Sequence, residues 1–239
     1  KLTWDNPALL SPATAKSLGV ADEDLVTVTV RGRSLTLPAA IVPGQADGVV
    51  AVHLGYGRTR AGRVGSGIGF NAYMLRTSDT AWTSSGVTIV RTDVRYAVAS
   101  TQLHHDMAGR PLVRSASLEE FRKNPGGVKA EEPEPPATLT LYPQHEYKGY
   151  AWGLAIDINA CTGCNACVVA CQSENNVPVV GKEQVARGRE MQWIRVDTYY
   201  KGHPDASPEA YHQPVMCQHC ENAPCEVVCP VGATLHSDE

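Results

Sequence analysis

The chain contains the stretch Cys161-Thr-Gly-Cys164-Asn-Ala-Cys167-Val-Val-Ala-Cys171, in which four cysteines follow C-x2-C-x2-C-x3-C spacing. We expect the first three cysteines to lie on a tight loop with converging sulfurs, and the fourth to start the next turn and point elsewhere. A second set has C-x2-C-x4-C-x3-C spacing and is followed by Pro230. It consists of Cys217, Cys220, Cys225 and Cys229, so the two sets contain all eight cysteines of the chain.

This spacing predicts iron–sulfur clusters, because a cubane takes thiolates from three close cysteines and one remote one. Disulfides are disfavoured since the sulfurs are packed too closely for loop-closing bridges. Structural zinc prefers two C-x2-C pairs separated by a spacer, although zinc stays as a competing interpretation. Haem attachment requires C-x-x-C-H, whereas Asn165 and Glu221 follow the two C-x2-C pairs.

The composition indicates a packed globular chain. Hydrophobic residues make up 43% and charged residues 19% of the sequence, and the formal net charge of −4 does not suggest a nucleic-acid surface. No apolar run approaches the roughly 20 residues of a membrane helix, so we expect any membrane association to come through a partner. Lys1 is not an initiator Met and the sequence stops ten residues after Cys229. We therefore expect an internal piece of a longer protein.

The first third of the chain is predicted to be mostly β. A short helix is expected at Ser11–Gly19, capped by Ser11 and ended by Gly19. Alternating apolar residues predict a strand at Leu25–Arg31, which turns at Gly32 into a second strand ending at Ile41. A further β-rich run is expected at Gly48–Leu54, with weaker strands at 87–91 and 96–99. Together these segments predict a small barrel.

Two other upstream motifs have competing interpretations. The glycines of Gly55–Gly57 and Gly65–Gly69 could contact a phosphate or a pterin, but we favour a surface connection because the G-x-G-x-x-G fingerprint is absent. Asn71 and Tyr73 are expected to line this loop. His104-His105-Asp106 is interpreted as a solvated loop, since adjacent residues on a strand point oppositely and rarely share a metal ion.

The domain boundary is placed after a short helix at Leu118–Lys123, which Asn124–Gly127 ends. The acidic, proline-rich segment Glu131–Pro136 predicts an extended linker. We therefore predict domains at residues 1–123 and 150–239, joined by a linker at 124–149.

The cysteine region is predicted to contain a short strand at Ala155–Ile158 and one or two helical turns at Cys167–Ser173. Between Cys171 and Cys217 lie 45 residues in which Ile194–Thr198 alternate as a half-buried strand would. Such an insert is absent from a minimal two-cluster ferredoxin, so we expect an elaborated electron-transfer module.

Small residues are expected to let backbone N–H groups approach the cluster sulfides and tune the reduction potential. These are Thr162, Gly163 and Ala166. Pro230 directs the chain after Cys229, and His219 is either a protonatable tuner or a residue held by a backbone hydrogen bond. The sequence shows no nucleophile with its base, so we expect no substrate-converting site.

The fourth ligands allow two pairings. In a self-contained two-cluster module, Cys229 would complete the cluster of Cys161, Cys164 and Cys167, and Cys171 would complete the other one. The long insert argues against this closure. We therefore expect Cys171 and Cys229 to serve clusters whose other ligands lie beyond Glu239.

Four segments carry a resemblance to a known family. They are Asp157-Ile-Asn-Ala-Cys-Thr-Gly-Cys-Asn-Ala-Cys167, Glu174-Asn-Asn-Val-Pro178, Gly188-Arg-Glu-Met-Gln-Trp-Ile-Arg195 and Cys217-Gln-His-Cys-Glu-Asn-Ala-Pro-Cys-Glu-Val-Val-Cys-Pro230. They resemble the four-cluster subunits of the molybdopterin oxidoreductases, and residues 7–58 are similar to the C-terminal barrel domain of the catalytic subunits. A chain that fuses the two resembles the large iron–sulfur subunit of bacterial alternative complex III.

The resemblance implies an electron-transfer subunit of a quinol-oxidising complex that contains [4Fe–4S] clusters, a [3Fe–4S] cluster and no molybdopterin. It implies a peripheral position on the periplasmic face of the bacterial inner membrane. The partners would be a quinol-binding membrane subunit, c-type cytochrome subunits and the other subunits of the complex. The family has four cysteine motifs and pairs the first with the fourth and the second with the third.

We therefore predict a β-rich α+β chain in which a small β-barrel of the molybdopterin-oxidoreductase C-terminal type precedes a ferredoxin-like iron–sulfur domain. Its predicted function is to relay electrons from quinol toward a c-type cytochrome or a similar acceptor. The alternative is the iron–sulfur module of a catalytic molybdopterin oxidoreductase of the polysulfide or dimethyl sulfoxide reductase type.

Overall fold

A computed structural model describes residues 2–128, 135–136, 138–143, 145–151 and 153–235. These residues form a β-rich α+β fold, as predicted. The strands are β1 Leu2–Thr3, β2 Ala8–Leu10, β3 Asp24–Val30, β4 Arg33–Ile41, β5 Thr88–Arg95, β6 Ala99–Ser100, β7 Ile194–Lys201 and β8 Glu209–Met216. The helices are α1 Pro12–Leu18, α2 Gly62–Gly65, α3 Leu118–Lys123, α4 Ala166–Glu174, α5 Lys182–Ala186 and α6 Pro224–Val227, with a 3-10 turn at Ala72–Leu75.

The upstream region is built on a four-stranded sheet with the order β2-β4-β3-β5. Strand β2 runs parallel to β4, and the other two pairings are antiparallel. Strands β1 and β6 form a separate two-stranded ribbon. The predicted barrel-type region is thus realised as a sheet with edges at β2 and β5 and a short ribbon.

The buried face of this sheet explains why the hairpin forms. Val26, Val28 and Val30 are buried along one face of β3, and Leu37 of β4 packs in one core cluster with Val26 and Val28. Helix α1 has the predicted caps: the Ser11 hydroxyl accepts from the N–H of Thr14, and Gly19 ends the helix at φ +64°. The predicted helix and hairpin are both confirmed.

Two predicted strands are absent. The run Gly48–Leu54 forms only an isolated bridge between Ala51 and Leu9, since the chain turns at Gly48 with φ +70°. The segment Ala155–Ile158 is irregular, because none of the described strands pairs with it. The weaker strand prediction at 87–91 is confirmed as part of β5, whereas the one at 96–99 is wrong, because residues 96–98 are irregular and only Ala99 belongs to β6.

The insert between the two cysteine sets folds into an antiparallel hairpin of β7 and β8, in register from Ile194 opposite Met216 to Lys201 opposite Glu209. The predicted strand at Ile194–Thr198 is confirmed as part of β7. Its partner β8 escaped the sequence analysis because Pro214, which has no N–H, argues against a strand interior.

Helix α3 begins and ends as predicted, with Ser117 and Glu120 forming a capping box. Of the predicted linker segment Glu131–Pro136, only residues 135 and 136 belong to the described part. The domain boundaries stay a prediction. No described helix has the length and apolar character needed to cross a membrane.

The cysteine region contacts the upstream region at several places, of which two are polar contacts to buried groups. Lys182 of α5 makes a 2.7 Å ion pair with the fully buried carboxylate of Asp5, and its ammonium lies 3.8 Å from the ring centroid of Tyr96. The Gln102 side chain bonds the Thr198 backbone on β7 in both directions, accepting from its N–H at 2.8 Å and donating to its carbonyl at 2.9 Å.

The segment after Gln102 continues along the same strand. Tyr200 N–H donates to the carbonyl of His105, and His105 Nδ1 lies 2.9 Å from the Thr198 carbonyl. His104 and Asp106 are exposed, as a solvated loop predicts, whereas His105 is half-buried against β7. The prediction of a fully solvated loop is therefore wrong at His105, because the loop adds to the edge of the hairpin.

Candidate metal centre

All eight cysteines lie in the described part of the chain and are free thiols. Cys161 and Cys164 precede α4, while Cys167 and Cys171 both belong to it. The third cysteine is therefore on a helix rather than on the predicted loop. Cys171 lies one turn after Cys167 on the same helix, and the expectation that its thiolate serves a different cluster stays a prediction. The helix begins at Ala166, directly after Asn165, whose backbone is in the left-handed conformation.

The second set has the same plan on a smaller scale. Cys217 and Cys220 lie on a loop after β8, Cys225 is in α6, and Cys229 follows that helix with its N–H donating to the Glu226 carbonyl. Pro224 occupies the first turn of α6, where its missing N–H is not needed. Each set is thus a loop followed by a helical turn.

Within the described residues, no three His, Cys, Asp or Glu side chains converge closely enough to hold one metal ion. A cluster spreads its iron atoms over a larger cage than a single ion, so its thiolates need not converge to one point. The fit of these cysteines to a cluster depends instead on how readily they lose their protons, because the thiolate rather than the thiol is the metal ligand.

Backbone N–H groups favour the thiolate at one cysteine of each set. The N–H of Ala166, followed by the Thr162 hydroxyl, holds the pKa of Cys164 below its ordinary value. The N–H groups of Ala233 and Val231 lower the pKa of Cys229 to about 7. The Ala233 N–H lies 3.2 Å from Cys229 Sγ. These contacts resemble the N–H to sulfur bonds that tune iron–sulfur clusters, so the residues present fit such a group.

The two C-x2-C loops share a backbone feature. Their third positions, Gly163 and His219, both adopt positive φ, at +69° and +50°. Glycine takes this conformation readily, whereas a residue with a Cβ is strained there by about 1–2 kcal/mol. His219 is exposed. The shared C-x2-C spacing already makes His219 the counterpart of Gly163 in the second loop.

The contact beneath the first loop was missed from the sequence. A Cβ built on Gly163 would lie 2.7 Å from Nδ1 of His212 on β8, so the imidazole covers that face of the glycine. His212 Nδ1 lies 3.1 Å from the hydroxyl of its cross-strand partner Thr198. Only the register of β7 and β8 brings these residues together.

The upstream glycines are explained by close packing of two chain segments. A Cβ on Gly57 would lie 2.5 Å from the backbone N of Asn71, and one on Gly69 would lie 2.8 Å from Cβ of Tyr56. Gly57 N–H donates to the Ile68 carbonyl at 3.0 Å. This geometry matches the favoured surface connection, in which glycine is needed for the approach of backbones.

A cavity of about 420 Å³ opens beside these glycines. Asn71 and Tyr73 line it as expected, and Arg58 and Arg60 give it positive charge. The glycine-rich connection thus borders an open surface depression lined by two guanidinium groups.

Two domain families match the chain. Residues 2–89 match the Molydopterin dinucleotide binding domain, and residues 160–233 match the 4Fe-4S dicluster domain. The second match spans all eight cysteines, and the first spans β1–β4 together with the glycine-rich connection.

The similar proteins include three iron–sulfur subunits. A protein of Halobacterium salinarum described as an iron-sulfur subunit of a dimethyl sulfoxide reductase is 42% identical over 90 residues, which are 37% of this chain and 34% of that protein. The Hdr-like menaquinol oxidoreductase iron-sulfur subunit 1 of Archaeoglobus fulgidus is 34% identical over 98 residues, with 35% of each chain covered.

The third is the menaquinone reductase iron-sulfur cluster-binding subunit of Nitratidesulfovibrio vulgaris, which is 36% identical over 88 residues, with 37% of this chain and 34% of that protein covered. The chain spans about a third of the length of these relatives. Residues 2–89 are thus similar to a molybdopterin dinucleotide binding domain and residues 160–233 to a 4Fe–4S dicluster domain, and part of the chain is similar to iron–sulfur subunits of dimethyl sulfoxide and menaquinol oxidoreductases.

Proposed function

We propose that this chain is the electron-transfer iron–sulfur subunit of a membrane-associated quinol:acceptor oxidoreductase of the alternative complex III type. The observation that carries the proposal is the presence of both domains in one chain, at residues 2–89 and 160–233. The names of two relatives, a menaquinol oxidoreductase subunit and a menaquinone reductase subunit, also support a quinone partner.

In this proposal the eight cysteines hold the clusters through their thiolates. A bound iron–sulfur cluster accepts and releases single electrons, which suits relay between a two-electron quinol and a one-electron cytochrome. Ala166 and Ala233 aim backbone N–H groups at Cys164 and Cys229 and thereby stabilise negative charge on sulfur.

The proposal extends to cofactors and surroundings. The clusters are of the [4Fe–4S] type with one [3Fe–4S], and the molybdopterin-type domain binds no molybdopterin. The partners are a quinol-binding integral membrane subunit, c-type cytochrome subunits and other subunits of the complex. The chain is placed on the periplasmic face of the bacterial inner membrane, held there by the membrane subunits.

A second candidate is the iron–sulfur module of a catalytic molybdopterin oxidoreductase of the polysulfide or dimethyl sulfoxide reductase type. Similarity to a dimethyl sulfoxide reductase subunit favours it. The cavity with Arg58 and Arg60 also favours it, because guanidinium groups bind phosphates well.

Elemental analysis of the purified full-length protein in its complex separates these functions. The proposal expects iron, acid-labile sulfide and brown absorption that bleaches when menaquinol is added, with no molybdenum. About one molybdenum per chain would overturn the first proposal and support the second candidate. Stoichiometric zinc without sulfide would overturn both and support a structural zinc protein.

The fourth-ligand pairing stays a prediction and has its own test. Cys171→Ala is expected to alter a cluster other than those held by Cys161, Cys164 and Cys167 or by Cys217, Cys220 and Cys225. Electron paramagnetic resonance spectra of the variant distinguish the pairings. An altered signal from the cluster of the second set would show that the self-contained pairing is correct.

A further inference from the structure

The first cysteine loop rests on a histidine side chain that belongs to neither cysteine set. The imidazole of His212 lies so close to Gly163 that an added Cβ would meet Nδ1, Cγ and Cε1 at 2.7, 2.8 and 2.9 Å. Gly163 lies between Cys161 and Cys164 and adopts φ +69°. The ring therefore covers the turn that joins these two cysteines.

The position of the imidazole is itself restrained. Its Nδ1 is 3.1 Å from the hydroxyl of Thr198, a buried residue with 8% exposure directly opposite on β7. Gln102 bonds both the N–H and the carbonyl of Thr198, and His105 Nδ1 contacts the same carbonyl. Residues of the upstream segment thus clamp the strand that orients the ring.

We propose that His212 is a positioning residue for the first cysteine loop. Its imidazole holds the backbone turn at Gly163 in place. That turn sets the positions of the Ala166 N–H and the Thr162 hydroxyl, which both contact Cys164. Thr198 connects this support to the upstream segment. The inference rests on the proposed binding of a cluster by Cys161, Cys164 and Cys167.

A change in this support acts on the cluster through the protein. Hydrogen bonds to sulfur and solvent access are the main means by which a protein sets the potential of an iron–sulfur cluster. Removal of the ring leaves space beneath Gly163 and lets the loop relax. We therefore expect a shifted midpoint potential and altered g-values for this cluster, with the other clusters unchanged.

The first experiment uses the full-length protein with its clusters in place. His212→Ala is expected to shift the potential and the electron paramagnetic resonance spectrum of the cluster held by Cys161, Cys164 and Cys167. Thr198→Val, which replaces the hydroxyl with a methyl group of similar size, is expected to give a smaller shift of the potential with the same sign. The control is His203→Ala, an exposed histidine at the turn of the same hairpin, for which both readouts stay as in the unaltered protein.

The second experiment uses the steric contact. Gly163→Ala is expected to lower the iron content of the protein, because the new methyl group collides with the His212 ring. Addition of His212→Ala is expected to restore part of the lost iron. The recovery stays incomplete because the positive φ at position 163 remains unfavourable for alanine.

An unchanged spectrum and potential in His212→Ala, or a double variant that recovers no iron, would overturn the inference. Absence of iron and sulfide from the unaltered protein would instead contradict the proposed function. Amide hydrogen exchange in the cluster-free chain then decides the inference independently. Faster exchange at 163–166 in His212→Ala than in His203→Ala would support the positioning role, and equal exchange would overturn it.

Discussion

The upstream sheet and the cysteine region differ in how their interiors are built. The sheet encloses a contiguous core in which Leu10, Val26 and Leu37 are fully buried. In the cysteine region the buried apolar residues among those described are single valines, namely Val168, Val177, Val185 and Val196. Val227, Val228 and Val231 beside the second cysteine set are exposed. One region is held by burial, whereas the other leaves much of its apolar surface uncovered.

This difference indicates that the two regions depend on different interactions. Apolar burial stabilises the sheet in proportion to the area removed from water. The loops around the cysteines have little such area, so cluster binding and docking onto the upstream region must supply their order. Metal binding to ligands that are unordered in the free chain contributes directly to folding.

Removal of iron is the largest expected test of the contrast. Chelation under reducing conditions should abolish amide protection in both cysteine loops, α4 and α6, because these segments lose their main source of order. Protection in β2–β5 should persist. Hydrogen exchange measured before and after chelation checks this, and equal loss of protection in the sheet would mean that the two regions depend on the clusters alike.

Truncation of the sheet core should have the next largest effect. Leu37→Ala should lower the free energy of unfolding by about 3–5 kcal/mol, because Leu37 is fully buried and its loss leaves a cavity. Urea denaturation followed by intrinsic tryptophan fluorescence measures this. The control Leu103→Ala, at a side chain with 90% exposure, should change stability by less than about 0.5 kcal/mol.

The contact between the regions supplies a third test. Burial opposes the charge of Lys182, but Asp5 and Tyr96 raise its pKa above the ordinary value overall. Lys182→Met should destabilise the protein by about 2–3 kcal/mol, since the buried Asp5 carboxylate loses its cation. Thermal unfolding measures the effect.

The matched control is Lys123→Met, which breaks an exposed pair with Glu119 and should be nearly neutral. A second change, Asp5→Leu, should recover stability in the Lys182→Met background. Failure of that recovery would show that Lys182 acts through packing rather than through charge.

A glycine at position 219 should make the second cysteine loop more stable. His219→Gly removes the strain of a positive φ and should stabilise the loop by about 1 kcal/mol. Slower loss of iron to a chelator would report this gain. Gln218→Gly is the control, because its backbone is outside the left-handed region, and equal rates for both variants would contradict the role assigned to φ.

The smallest expected effect concerns the Asp24 carboxylate and changes the free energy of unfolding only at acidic pH. The Ala21 N–H and then the Arg91 guanidinium lower the pKa of Asp24 below its ordinary value. Because the pKa is depressed in the folded state, this contribution is present at neutral pH and is lost as pH falls through the folded value, from about 3.9 downward. Asp24→Asn should flatten the dependence of the unfolding free energy on pH below about 3.9, as measured by urea denaturation at a series of pH values.

Local features of the fold could be predicted from the sequence. Helix α1, the β3–β4 hairpin and α3 follow from caps, turns and alternation within short windows, and the cysteine sets follow from spacing. Contacts between residues far apart in the sequence could not be predicted in this way. The support of Gly163 by His212 and the pairing of Lys182 with Asp5 depend on strand register and docking, which no short window contains.

The Lys182–Asp5 contact also has a consequence for synthesis. Asp5 emerges from the ribosome long before Lys182, by roughly ten to thirty seconds at typical translation rates. During that interval the Asp5 carboxylate of the upstream region lacks the Lys182 ammonium that compensates its burial. The upstream region therefore reaches its final form only when α5 has emerged, so its maturation and the loading of the cysteine loops fall in the same late period of biogenesis.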